Sequence, residues 1–155
     1  GCANYIKKAY LFRPNLAHKL LKNKTLIKLQ LDIEYLKSVF NPLIDKKTIS
    51  LLQKATKIIF LPHPKFITKE KIEKINKFID KDTIIKLHPR DNSTKIDGII
   101  LQNLFSEIIF LYTNAKIYGF NTTSLLTAKW LREDLEVFYF FEKNELFDRS
   151  GIEYI

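Results

Sequence analysis

One cysteine, no methionine, four glycines and five prolines in 155 residues set the first limits on this chain. With Cys2 alone there can be no internal disulfide framework and no thiolate metal cluster, and a reducing interior is the expected home. No apolar run reaches the ~18 residues of a membrane-spanning helix. The longest, Ile108-Ile109-Phe110-Leu111-Tyr112, has the length of a buried core segment, so membrane contact would be peripheral. The missing methionine suggests a piece of something longer. Gly1-Cys2 has no apolar signal region before it and is read as a cut end, not as a lipoprotein junction. No Gly/Ser-rich linker, composition shift or repeat interrupts the chain, so one domain over residues 1–155 is expected, with 1–55 as a loosely assigned lead-in and 56–155 as the core.

What is present is a packed composition: 46% hydrophobic and 28% charged residues, far from the disordered class. The net charge of +9 is unevenly spread. Residues 1–99 hold 21 Lys/Arg against 9 Asp/Glu, or +12, whereas residues 100–155 hold 5 against 8, or −3. A basic half of this kind attracts nucleic acid, anionic lipid or phosphorylated small molecules. Runs such as Lys69-Glu70-Lys71-Ile72-Glu73-Lys74 equally read as the solvated face of a helix. Nucleic acid is the least favoured partner, because the basic residues do not interleave with exposed aromatics in a recognisable module.

The first ~55 residues are ambiguous by pattern. Asn15 to Leu21 has leucines at helical spacing, Thr25 to Leu31 alternates like a strand, and Ile33 to Phe40 and Lys47 to Ala55 read as helices. From Lys57 onward strands and helices alternate. Strands are expected at 57–61, 83–87, 99–101, 116–120 and 135–140. Helices are expected at 68–78, opened by Thr68, at 106–114, capped by Ser106, and at 122–131. The fold class is therefore α/β, a Rossmann-like parallel sheet flanked by helices, which binds ligands beyond the carboxyl ends of its strands.

Three strand ends carry polar residues suited to chemistry. After 83–87 comes His88-Pro89-Arg90-Asp91. Proline holds the residue before it in extended geometry, so His88 is fixed at the strand tip. There it can offer a hydrogen bond or a proton to a phosphate, beside the donor fork of Arg90. The plainer reading is that His88 closes a turn and Arg90 pairs with Asp91. After 116–120 come Gly119, Phe120, Asn121, Thr122, Thr123 and Ser124, where glycine permits close backbone approach and a hydroxyl-rich helix start suits an anion. The plainer reading is ordinary capping. Glu107, in the first turn after 99–101, could bond ribose hydroxyls or simply complement the helix dipole. His63-Pro64 repeats the strand-then-His-Pro arrangement without an arginine and ranks second to His88, and His18 reads as surface. There is no Gly-rich dinucleotide fingerprint, phosphate loop or metal-ligand spacing, so neither metal nor cofactor is expected.

Over Ile58 to Leu131 the chain resembles the carboxy-terminal nucleotide-binding domain of bacterial lipooligosaccharide sialyltransferases, glycosyltransferase family 52. The resemblance rests on Ile84-Ile85-Lys86-Leu87-His88-Pro89-Arg90-Asp91, on Leu104-Phe105-Ser106-Glu107-Ile108, and on Tyr118-Gly119-Phe120-Asn121-Thr122-Thr123-Ser124-Leu125-Leu126, in that order and spacing. It implies the carboxy-terminal half of a GT-B glycosyltransferase, CMP-sialic acid as donor, a glycan acceptor and an inverting, metal-independent transfer. It also implies that His88 contacts the donor phosphate and protonates it as CMP leaves, with Thr122 to Ser124 cradling it. Surface-glycan assembly at the inner face of the cytoplasmic membrane, by a cytoplasmic protein that forms homodimers in some relatives, completes the expectation. Two features depart from the family. The acidic general base has no clear counterpart in Pro64-Lys65-Phe66-Ile67-Thr68, Glu70 being the nearest acid, and the chain has little room for an amino-terminal Rossmann-like domain. A GT-B transferase with another nucleotide-linked donor and a non-catalytic basic binding module remain as alternatives.

Overall fold

A computed structural model describes residues 6–21 and 23–155; the Gly1-Cys2 junction lies outside them. A short parallel pair comes first, β1 (Lys8–Leu11) beside β2 (Thr25–Lys28), followed by helices α1 (Ile33–Phe40) and α2 (Lys46–Lys54). The main sheet then begins with β3 (Lys57–Phe60), α3 (Lys69–Asn76), β4 (Thr83–Lys86) and β5 (Ile99–Leu101). It continues with α4 (Ser106–Tyr112), β6 (Lys116–Gly119), α5 (Thr123–Leu131), β7 (Val137–Tyr139), α6 (Glu145–Arg149) and β8 (Glu153–Tyr154).

All six strands of the main sheet run parallel, in the order β5-β4-β3-β6-β7-β8. The chain builds outward from β3 to β5, then crosses back and builds the other half from β6. This is the doubly wound Rossmann-like order, and its direction reverses between β3 and β6. Side chains alternate across the sheet, which divides the core into two layers. Ile58, Phe60, Ile84 and Ile117 face one layer, closed by α2, α4 and α5 through Leu52, Ile109 and Leu125. Ile59, Leu61, Ile85, Tyr118 and Phe120 face the other, closed by α3 through Ile75. Burial of β3, β4 and β6 on both faces explains their near-continuous apolar runs.

The lead-in packs on this sheet. The Tyr112 hydroxyl donates to the carbonyl of Lys37 at 3.0 Å and to Oδ1 of Asn41 at 2.7 Å, tying α4 to the end of α1. Thr113 Oγ1 donates to the carbonyl of Leu52 at 2.9 Å. On the opposite flank Phe12 stacks on Trp130 at 5.8 Å, and Glu133 receives both Arg13 and Lys28.

The expected α/β class and the strands from 57 onward are found; three local expectations are corrected. The helix expected over 15–21 is two 3-10 turns, Pro14–Leu16 and Lys19–Leu21, parted by extended backbone at Ala17. A stretch that short cannot recover the cost of helix nucleation without a packed face, and none of its residues is buried. Ser106 is the first residue of α4 and not its cap; the cap position is Phe105, which has no side-chain acceptor. The strand expected at 135–140 is confined to Val137–Tyr139, and α6 and β8 follow it.

Candidate functional site

The carboxyl ends of β3, β4 and β6 point the same way because the strands are parallel and in register, Phe60 opposite both Lys86 and Gly119. Loops leaving these three tips, with the start of α4, enclose a cavity of about 250 Å³. His88, Pro89, Ser106, Glu107, Thr122, Thr123 and Ser124 line it, together with Lys86, Phe60 and Phe105. Three stretches separated by up to 36 positions in sequence thus meet at one place, next to the reversal between β3 and β6 where open parallel sheets take ligands.

His88 is half-buried at the rim. Its Nδ1 accepts the backbone N–H of Arg90 at 3.1 Å, so in the neutral ring the proton sits on Nε2, which is left to donate to a ligand. Burial holds its pKa below that of ordinary histidine, and the nearby His63, Arg90 and Lys86 push the same way against the opposing pull of Asp91. The free protein therefore carries His88 neutral near pH 7, as a hydrogen-bond donor. Across the cavity, Thr122 caps α5 by accepting the N–H of Ser124 at 3.4 Å, and Ser124 Oγ lies 3.3 Å from Ser106 Oγ. Exposed Thr123 and Glu107 stand at the mouth, Glu107 forming no ion pair among the described residues, and Phe105, 72% exposed, forms the lip.

Four of the expected residues lie elsewhere. Arg90 is exposed, does not line the cavity and forms no ion pair among the described residues. Asp91, which could have paired with it, turns inward and accepts the backbone N–H groups of Ser93 at 3.1 Å and Thr94 at 2.9 Å. Burial works to raise the Asp91 pKa, but these bonds outweigh it and the carboxyl ends below its usual range. At Gly119 the crowding comes from within: a Cβ there would stand 3.1 Å from Leu125 Cδ2 and 3.2 Å from the Phe60 carbonyl. Phe120 and Asn121 line a separate hollow of about 310 Å³ on the other side, with Pro62, Phe66 and Phe141. A larger hollow of about 510 Å³ lies beside β5, lined by Asn92, Thr94, Lys95 and their neighbours. None of His88, Glu107, Thr122, Thr123 and Ser124 lines it, so size alone does not mark the chemistry.

One residue outside the expected set lines the cavity, and the second-ranked histidine lies next to it. Lys86, the last residue of β4, is only 5% exposed and lines the cavity floor. It could have been suspected as a lysine inside a strand otherwise apolar on both faces. His63 sits at the neighbouring tip with its ring 4.9 Å from that of His88, inclined by 61°. Among the described residues no three His, Cys, Asp or Glu side chains group as metal ligands, and no helix is long and apolar enough to cross a membrane.

No protein-family model and no curated protein matches the chain.

Proposed function

We propose that the chain is the donor-binding half of a GT-B glycosyltransferase, sialyltransferase-like, which takes a CMP-linked sugar and serves transfer to a surface glycan. The observation that carries this reading is the cavity itself. It draws the His-Pro turn after β4, the start of α4 and the hydroxyl-rich start of α5 onto one small volume at the reversal of a Rossmann-like sheet. Breaking a bond between a sugar and a phosphate leaves negative charge on the phosphate, and preorganised donors placed there stabilise it. His88 Nε2–H and the hydroxyls of Thr122, Thr123 and Ser124 are such donors. With its pKa held low, His88 serves the bound donor as a neutral hydrogen-bond donor through Nε2–H; to protonate the departing nucleotide it takes a proton from solvent at Nδ1, giving up the bond from the Arg90 N–H, and passes on the Nε2 proton.

The volume suits the phosphate and its immediate neighbours and not a whole nucleotide, since complete ligand pockets run to roughly 300–1,000 Å³. The sugar and base would extend past Phe105 and Glu107, toward the side where a partner domain closes a GT-B cleft. Acceptor binding, a homodimer and a station at the inner face of the membrane belong to this same reading.

Calorimetric titration of CMP, with CDP and UMP as controls, tests it on the wild-type chain and on His88→Ala and Thr122→Ala/Thr123→Ala variants. CMP-selective heat that weakens in both variants is the expected result. A preference for CDP or UMP moves the reading to a transferase with a different donor. No heat with any nucleotide, from a chain shown to be folded, removes the donor-site reading.

A further inference from the structure

Lys86 is a charged side chain set in the middle of the sheet. It ends β4, hydrogen-bonded between β3 and β5, and is 5% exposed, on the layer that also holds Ile84 and Phe60. Its Nζ has one partner among the described residues, the carbonyl of the adjacent Leu87 at 2.8 Å, and forms no ion pair with any carboxylate. Glu107 lines the same cavity without reaching it, and Asp91, five residues further on, is turned away onto Ser93 and Thr94. Burial alone moves its pKa, downward, with no neighbouring charge to restore it. A largely buried ammonium with no carboxylate partner is costly unless an anion meets it. It borders the cavity shared with His88, Ser106, Thr122, Thr123 and Ser124.

We infer that Lys86 is the anion anchor of this cavity, its ammonium forming the floor on which a phosphate group sits while His88 and the α5 hydroxyls hold it from the rim. This rests on the donor-site reading for the identity of the whole ligand, but not for the phosphate itself. Phosphate supplies acceptor oxygens beyond the Leu87 carbonyl, and its charge offsets the burial of the ammonium. The stability forgone in the empty protein is recovered on binding, the usual signature of a functional site set into an otherwise apolar core.

The test uses inorganic phosphate, CMP and cytidine as probes against wild type, Lys86→Met and Lys86→Arg. Wild type is expected to bind phosphate and CMP. Lys86→Met should lose at least tenfold in affinity for both, leaving CMP no better than cytidine, while its thermal midpoint rises because an apolar chain of similar length replaces an uncompensated charge. Lys86→Arg should retain part of the phosphate binding. A direct readout in the unmutated chain is the Lys86 Nζ resonance, whose pKa should rise on addition of phosphate. CMP binding undiminished in Lys86→Met overturns the anchor and leaves the donor site standing. Phosphate binding that depends on Lys86, without any nucleotide preference, upholds the anchor and removes the donor-site reading. A Lys86 resonance unmoved by phosphate, or a Lys86→Met chain less stable than wild type with binding intact, shows a structural lysine and overturns the inference.

Discussion

Two adjacent strands of this sheet end in nearly the same words. β3 runs into His63-Pro64-Lys65 and β4 into His88-Pro89-Arg90. The local geometry is the same as well: each histidine accepts through Nδ1 the backbone N–H two residues on, at 3.2 Å for His63 and 3.1 Å for His88. Yet only His88 lines the cavity. The difference is one of register. Phe60 lies opposite Lys86, so His88 follows its strand by two residues and His63 by three. His88 therefore continues the alternation Ile84, Lys86, His88 on the α4 and α5 side. His63, one place further on, opens a 3-10 turn and leans on Phe66 with ring centroids 6.3 Å apart. The other difference lies beneath. At the aligned inward position β3 carries Phe60, which packs on Phe110, whereas β4 carries the buried Lys86. A His-Pro turn becomes part of an anion site only where the strand delivers it to a charged floor.

The comparison can be broken most forcefully at the two histidines. His88→Ala should weaken CMP binding by about 10- to 100-fold, the worth of a hydrogen bond to a charged group. His63→Ala should change it by less than about threefold, in line with a residue outside the cavity. Parallel calorimetric titrations check this, and equal losses in the two variants would dissolve the distinction between the turns. Next in size is the opposite wall. Thr122→Ala should cost about 1 kcal/mol of stability through loss of the α5 cap, measurable by chemical denaturation. In the double variant Thr122→Ala/Thr123→Ala, CMP affinity should fall by roughly tenfold through lost hydrogen bonds.

A smaller effect sharpens the comparison through pH. His88 has a folded pKa below its unfolded value, so folding disfavours its charged form. The penalty is absent above the unfolded pKa and complete below the folded one. This residue should therefore make the empty protein less stable as pH falls through that interval, below the ordinary histidine range. In His88→Ala that part of the acid destabilisation should vanish, as denaturation midpoints measured across the interval would show. The smallest effect is on the titration itself. Removing His63 takes away one of the charges that oppose His88 protonation, so the His88 pKa followed by proton NMR should rise in His63→Ala while remaining below the ordinary value, because burial is the larger cause.

Much of the sheet was legible because its strands are buried on both faces and are punctuated by proline, as at Leu61-Pro62 and His88-Pro89, or by a helix cap such as Thr122. The edges were less legible. β1 and β8 are short and half-buried or exposed, so neither a continuous apolar run nor strict alternation marks them. The cap of α6 could have been seen, since Asn144 accepts the N–H of Leu146 at 3.0 Å, but a helix of five residues carries no periodicity to follow it. At the site, residue type pointed to His88 and Thr122 to Ser124, and the parallel order brings them together. Arg90 looked equally suitable in the sequence; a side chain four residues past a strand end follows the turn, and this turn carries it to the surface. Lys86 was passed over for the opposite reason. A lysine is read as solvated by default, and only its central place between β3 and β5 puts it in the core.

The most direct measurement is a heteronuclear NMR titration of the wild-type chain with CMP, following each backbone amide. The account predicts shifts concentrated at His88, Ser106 and Thr122 to Ser124, around the cavity at the strand tips, with residues of the other two hollows nearly still. Shifts centred on Asn92 to Asp97 or on Phe120 and Phe141, or none with any nucleotide, would contradict it.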